Sequence, residues 1–297
     1  MATALAVSDI EFPYIDIVID GRSVRLDVAG SPPFKTGAAC HLSGPDTDIT
    51  FNQAWYDAGY GVFPFLDPDS FQSVQTGIRD AVLGLLTSDG GLNNPDGADA
   101  FDLERYHHVV TDDETHFRVV RRTRDLFPKD FGFTMDDLIG RLEDLVGFDL
   151  TDIDPQTREQ LHIIVRINRP YSNDFNPPHK DIYEVWDQAG TVPRFLNVWV
   201  PICGVTPASS LALAPGSHRL SEDRILRTME GGVVNGNRYR VRTIASWDER
   251  ADLVRAPVSQ GDVLIFSSHL IHGLAVNHEP DKTRVALEFR LFRKDRT

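Results

Sequence analysis

Gly261-Asp262-Val263-Leu264-Ile265-Phe266, continued by Ser267-Ser268-His269-Leu270-Ile271-His272-Gly273, reads as a turn, a short buried strand and a histidine-bearing exit. The apolar run is too short for a helix and suits a strand covered on both faces. Similar runs surround it. Residues 161–168, 194–201, 210–214, 232–244 and 284–292 all read as strands, and Asn235-Gly236 is a hairpin turn. Many short strands divided by Gly- and Pro-rich turns predict a sandwich or barrel.

The first 160 residues have a different character. Residues 14–20 and 23–28 form a hairpin about Asp20-Gly21, and residues 30–50 read as loop. Asp67 can cap a helix that begins at Pro68 and carries Phe71, Val74, Ile78, Val82 and Leu85 on one face. Residues 88–98 read as loop. Thr111 and Glu114 have capping-box spacing before a helix reaching about Arg124, and Thr134 opens a third amphipathic stretch that ends near Gly147. The expected class is therefore mainly β with a helical buttress. Residues 1–160 supply the hairpin and helices, and residues 161–297 supply the β core. No linker divides them, so one domain over 1–297 is expected.

Composition narrows the function classes. Apolar residues make up 41%, enough for a sizeable core. Lys and Arg number 30 against 44 Asp and Glu, a net charge of −14, which speaks against a nucleic-acid partner. Cys40 and Cys203 are far apart and have no metal-type spacing, as in a reduced intracellular protein. No apolar run approaches the ~18 residues of a membrane span, and the N-terminus lacks a positively charged leader. A cytoplasmic protein acting on a small molecule, away from membranes, is expected. The sequence does not address oligomeric state.

The chemistry centres on Asn176-Pro177-Pro178-His179-Lys180-Asp181. The prolines favour extended backbone, where residues two apart point to one side. His179 and Asp181 can then face one ion while Lys180 points away. A His, a carboxylate and one distant His make the facial triad that holds non-haem Fe(II) with open positions. The distant ligand is His269 or His272. Gly273 lets the backbone pack closely beside His272, which favours His272. Isolated histidines such as His41, His116, His162 and His278 read as structural, as do His107 and His108, which lie on a helical stretch without an evident partner. An Arg shortly after the distal His suits an anionic co-substrate, and Arg284 occupies that place, with Arg290 as runner-up on the same face by parity.

The order of the motifs adds a resemblance. His179-x-Asp181 is followed by Leu211-Ala212-Leu213-Ala214-Pro215-Gly216-Ser217-His218, then Gly261-Asp262 and its strand, then His272-Gly273, then Arg284. This order over residues 160–293 resembles the phytanoyl-CoA dioxygenase-like family of Fe(II)/2-oxoglutarate oxygenases. Tyr60 to Pro68 also looks like that family's entry strand and first helix. The resemblance implies a double-stranded β-helix, a cupin-like jelly roll. It implies His179, Asp181 and His272 as iron ligands and Arg284 as the partner of the distal carboxylate of 2-oxoglutarate. O2 would be the second co-substrate, and hydroxylation of an unactivated C–H bond, with release of succinate and CO2, the expected reaction. Asp181 argues against halogenation, because related halogenases leave that position small. Desaturation, cyclisation and epimerisation use the same ligands. A cupin-type metalloenzyme without 2-oxoglutarate, or a non-catalytic metal-binding relative, is the alternative. Ser209-Ser210 departs from the Asn-Gly found in many relatives.

Other residues are candidates by position. Asn168 and Asn197 lie on strands that could line the co-substrate pocket, as does Trp199. Substrate choice falls to loops at the barrel mouth: residues 171–176, with Tyr171, Asn173 and Asn176, and residues 88–99 and 182–192. Arg118, Arg121, Arg122 and Arg124 read as a solvated helix face.

Overall fold

The last long strand of the chain alternates cleanly. Val285, Leu287, Phe289 and Leu291 join the largest apolar cluster, while Arg284, Ala286, Glu288 and Arg290 face the other way. Side chains two apart in a strand share a face, so this one strand separates an apolar outer layer from an inner face that carries Arg284, Glu288 and Arg290.

The computed structural model describes residues 10–88, 101–124, 126–161, 163–183, 192 and 194–294. Its elements in chain order are β1 (Tyr14–Ile19), β2 (Arg22–Asp27), β3 (Phe34–Thr36), β4 (Tyr60–Pro64), α1 (Pro68–Ser88), α2 (Tyr106–Val109), α3 (Asp113–Thr123) and α4 (Met135–Val146). They continue with β5 (Leu150–Thr151), β6 (Ile164–Asn168), β7 (Phe195–Cys203), β8 (Ala212–Leu213), β9 (Ile225–Thr228), β10 (Gly232–Val234), β11 (Asn237–Tyr239), β12 (Ile244–Trp247), β13 (Asp252–Arg255), β14 (Asp262–Ser267) and β15 (Arg284–Arg293).

One sheet runs β4-β14-β7-β15, with β5 and β6 also paired to β15. Its register sets Arg284 opposite Asn168 and Arg290 opposite Asn197. The other layer begins β2-β1-β13-β8 and continues through two isolated bridges, Leu213 with His272 and His272 with His179. The Ile244 amide then donates to the Pro178 carbonyl at 2.8 Å, which joins β12-β9-β3 to the same layer. Residues 178–181 and 271–273 therefore act as strands although they are too short to be ladders. The chain winds between the layers: β6, β7, β14 and β15 in one, and residues 178–181, β8, β13 and residues 271–273 in the other. This is the jelly-roll, double-stranded β-helix arrangement.

The helices cover the outer face of the first sheet. Asp67 caps α1 by accepting from the Ser70 amide at 2.9 Å, and Val74, Ile78, Val82 and Leu86 are buried on its inner face. These side chains share one cluster with Val165, Ile167, Val198, Val200 and Ile265 of the sheet. The interior between the layers holds a smaller cluster that includes Trp199, Leu213, Leu264, Phe266 and Ala286.

Several local expectations need correction. Asp112, not Thr111, caps α3, accepting from the Thr115 amide at 2.7 Å. Residues 30–50 contain β3, which pairs with β9. Strands β5, β9 and β13 escaped the sequence reading, because each is at most four residues long and lacks a sustained period. Residues 210–214 shrink to the two-residue β8. Of the mouth loops, residues 89–99 and 184–191 lie outside the described residues, as does His162.

Candidate metal centre

The local backbone explains why His179 and His272 meet. The His179 amide donates to the His272 carbonyl at 2.9 Å, and the His272 amide returns the bond at 3.0 Å. Gly273, with φ +128°, continues the second strand. A Cβ there would come within 2.5 Å of the Pro177 carbonyl oxygen, so a side chain would force the strands apart. The Ile271 amide donates to Ser217 Oγ at 2.9 Å. The Pro215-Gly216-Ser217-His218 segment thereby braces the strand that carries His272.

His179, Asp181 and His272 bring their ligand atoms within 4.8 Å of one another, and all three are buried. His179 Nε2 lies 3.4 Å from Asp181 Oδ1, and His272 Nε2 lies 3.7 Å from Asp181 Oδ2. The other ring nitrogens are engaged: His179 Nδ1 with the Pro177 carbonyl at 2.7 Å and His272 Nδ1 with the Leu270 carbonyl at 3.0 Å. A carbonyl only accepts, so each Nδ1 carries the proton and each Nε2 offers a lone pair to the same point. Burial, reinforced by His179, pushes the pKa of His272 down to about 4, keeping the ring neutral as a ligand must be. Burial alone would raise the Asp181 carboxyl. The neighbouring Arg290 guanidinium outweighs it and holds Asp181 well below the usual carboxylate range. Two neutral imidazoles and a carboxylate, at spacings that ligand bonds of about 2 Å can bridge, fit a divalent iron.

The alternative histidine is turned elsewhere. His269 Nε2 lies 3.3 Å from the Thr47 carbonyl, and burial pushes its pKa down to about 4 despite the nearby Asp48. His107 and His108, read as having no partner, do have one. Both contact Asp281, at 3.1 and 2.6 Å, and they form the second group of possible ligands among the described residues. The same carboxylate already pairs with Arg105. His116 is buried, 3.3 Å from Asp174 and 3.3 Å from the Tyr106 hydroxyl. His41 contacts the Arg219 carbonyl and His278 contacts Arg255.

Arg284 has unusual surroundings. It is 3% exposed, donates to the Ser209 carbonyl at 3.0 Å and to Asn168 Oδ1, and lies 5.8 Å from the centre of a Trp199 ring. Its Nε has no hydrogen-bond partner, and no carboxylate binds it among the described residues. Burial, together with the positive charges of Arg255 and Arg166, draws its pKa down to about 9. A desolvated guanidinium without an anion is expensive. Asn197, 1% exposed, similarly has no partner for Nδ2. Arg290 differs, because its Nη2 sits 2.9 Å from Asp181 Oδ1. Between the two arginines, Glu288 pairs with Arg166 at 2.6 Å.

The loop after β6 has mixed roles. Tyr171 is 66% exposed, Asn173 Oδ1 accepts from Asn235 Nδ2 at 3.0 Å, and the Asn176 carbonyl accepts from the Leu274 amide at 2.7 Å. On the helix face, Arg122 reaches Ser88 and Arg118 reaches Thr115. The sequence reading missed a buried cluster behind the site. Lys180, turned away from the ligands, donates to Glu222 at 3.0 Å, and Glu222 also holds Tyr183 at 2.8 Å and Arg227 at 2.9 Å. No spacing links residues 180 and 222. The Arg166–Glu288 pair was within reach of strand parity.

Comparison with known proteins identifies a family. A family model described as phytanoyl-CoA dioxygenase matches residues 55–286. Dioxygenase FrzG of Cladobotryum sp is 28% identical over 129 residues, covering 40% of this chain and 36% of that protein, so the match spans about a third of the relative. Among solved structures, AviO1 from Streptomyces viridochromogenes Tue57 has a TM-score of 0.46 and 16% identity, covering 87% of this chain and 98% of its own. EctD from S. alaskensis, solved with 2-oxoglutarate and 5-hydroxyectoine, has a TM-score of 0.45 and 15% identity, covering 90% and 86%. At these scores neither structure assigns a role to any residue here. No helix among the described residues is long and apolar enough to cross a membrane.

Proposed function

Because the chain belongs to the phytanoyl-CoA dioxygenase family of non-haem iron, 2-oxoglutarate-dependent dioxygenases, we propose that His179, Asp181 and His272 hold its ferrous ion. On this reading it hydroxylates an unactivated C–H bond of a small metabolite or biosynthetic intermediate. The observation that carries the ligand assignment is that both imidazoles give Nδ1 to a backbone carbonyl and turn Nε2 toward the Asp181 carboxylate. Iron bound there supplies O2 activation coupled to oxidative decarboxylation of 2-oxoglutarate to succinate and CO2.

The chain's own groups have distinct tasks. Arg284 binds the distal carboxylate of 2-oxoglutarate, since no carboxylate among the described residues pairs with its buried guanidinium. Asn168 holds that guanidinium in place through Oδ1. Asn197 offers its unpartnered Nδ2 to the co-substrate. Arg290 fixes one oxygen of Asp181 and so orients the carboxylate. Trp199 and Phe266, both buried, exclude water from the interior. Tyr171, Asn173 and Asn176 belong to the loop that leads into the ligand strand and are proposed to meet the substrate.

Anaerobic titration of the protein with Fe(II) and then 2-oxoglutarate, followed by visible absorption, tests the assignment. A charge-transfer band that needs both additions is expected. A metal that binds without any response to 2-oxoglutarate would favour a cupin-type enzyme that does not use this co-substrate.

A further inference from the structure

A cavity of about 230 Å³ is lined by Arg290, the side chain that contacts Asp181. Phe195 and Phe292 form part of its wall, with rings meeting edge to face at 5.8 Å. Leu161 and Val192 add apolar surface. Arg290 connects this space to the metal centre. It lines the cavity, lies 5.1 Å from the centre of the Phe195 ring, and sits 2.9 Å from Asp181 Oδ1. A molecule resting on Phe195 and Phe292 would thus lie one side chain away from a ligand of the iron.

The charge of the lining is the informative feature. The chain carries 44 acidic against 30 basic residues, so an average patch is acidic. This lining carries Arg194, Arg290 and Arg293 against a single described carboxylate, Asp154. Asp154 is already engaged, since its Oδ1 accepts from the Gln156 amide at 2.7 Å and the Thr157 amide at 3.3 Å to hold a turn. Two of the guanidinium groups are also ordered by aromatic faces, Arg290 over Phe195 and Arg293 over Phe148 at 5.0 Å. Arginines held this way lose little freedom on gripping an anion, and a carboxylate or phosphate matches their planar donors.

We propose that the primary substrate is a small organic anion with an apolar body. The body lies against Phe195 and Phe292, and the anionic group faces Arg194 and Arg293 at the rim of the cavity. This rests on the dioxygenase reading above and names the substrate class for the same site. The anion orients the molecule, and the apolar end is the part that reaches past Arg290 toward the metal centre. Arg290 is already paired with Asp181, so a cationic or purely neutral substrate would leave Arg194 and Arg293 without a carboxylate among the described residues.

Calorimetry under nitrogen tests the proposal on protein with and without Fe(II) and 2-oxoglutarate. The probes are 3-phenylpropionate, 3-phenylpropionamide and phenyl phosphate. At least one of the two anions should bind about tenfold or more tightly than the amide, and which one identifies the headgroup. An Arg194→Gln/Arg293→Gln double variant should lose that preference while giving the same Fe(II)–2-oxoglutarate band as the unaltered protein. Amide and anions that behave alike, or a preference that survives in the double variant, would overturn the proposal. Failure of the dioxygenase reading shows separately, as absence of the band in the unaltered protein, and anion preference is then still read on the metal-free form.

Discussion

Arg284 and Arg290 show how little residue type alone decides. Both project from the same face of β15, yet Arg290 reaches Asp181 whereas Arg284 lies buried with no carboxylate partner among the described residues. Arg284 was the candidate by its place after the distal histidine and Arg290 the runner-up by parity, and the structure separates them by what each touches. Arg284→Lys should therefore weaken 2-oxoglutarate about 10- to 100-fold, the loss expected when bidentate charged hydrogen bonds become one point charge, while iron still binds. Unchanged co-substrate affinity in the anaerobic titration would move the role elsewhere. For the candidate ligands, removing even an outer partner of a metal ligand costs about 10- to 100-fold in affinity. Asp181→Ala and His272→Ala should each cost at least that, whereas His269→Ala should retain iron. Metal analysis after gel filtration distinguishes them, and a reversed order for the two histidines would mean the wrong one was chosen. The candidate triad was legible because a Pro-flanked His-x-Asp fixes its own geometry. The engagement of each Nδ1 was not, because its acceptors are backbone carbonyls that carry no sequence signal.

At the scale of elements, the site depends on two strands that barely qualify as such. Residues 178–181 and 271–273 meet in an isolated bridge, and Gly273 permits the approach. Gly273→Ala should destabilise the fold by about 1–3 kcal/mol, through a strained φ and overpacking against Pro177, and should lower iron affinity as well. Gly140 makes the opposite case. It lies inside α4, and a Cβ there meets nothing within 4 Å. Gly140→Ala should stabilise by about 0.5–1 kcal/mol through helix propensity and leave iron binding unchanged. Urea unfolding of the two variants checks both signs. The long elements were readable from periodicity: α1 from its apolar face, β14 and β15 from their runs. The short strands β5, β9 and β13 were not, because two to four residues carry no period and are held by partners distant in sequence.

For the whole molecule, burial of neutral imidazoles sets a pH dependence. Burial holds His116, His218 and His269 with pKa values of about 4, below the ordinary value of 6.5. The unfolded chain therefore binds more protons than the folded one between these values. The stability concerned is fully present above about 6.5 and is lost as pH falls toward 4, at up to about 1.4 kcal/mol per pH unit for each histidine. The melting temperature of the metal-free protein should fall steadily from pH 7 to pH 5. His116→Gln should show a shallower fall. A melting temperature constant over that interval would mean these rings are already charged or solvated in the fold.

The sequence by itself determined the class of the molecule: a β core behind a helical buttress, a His-x-Asp pair on extended backbone, and an Arg on the last strand. Each of these rests on local rules, namely turn chemistry, proline geometry and strand parity, that act over a few neighbouring residues. The tertiary structure alone decided that residues 178–181 and 271–273 become adjoining strands, that Arg284 is buried away from the described carboxylates, that Arg290 reaches Asp181, and that Lys180 finds Glu222. These depend on which distant backbones share a layer, and on what burial removes from water, and neither is written in the spacing of residues along the chain.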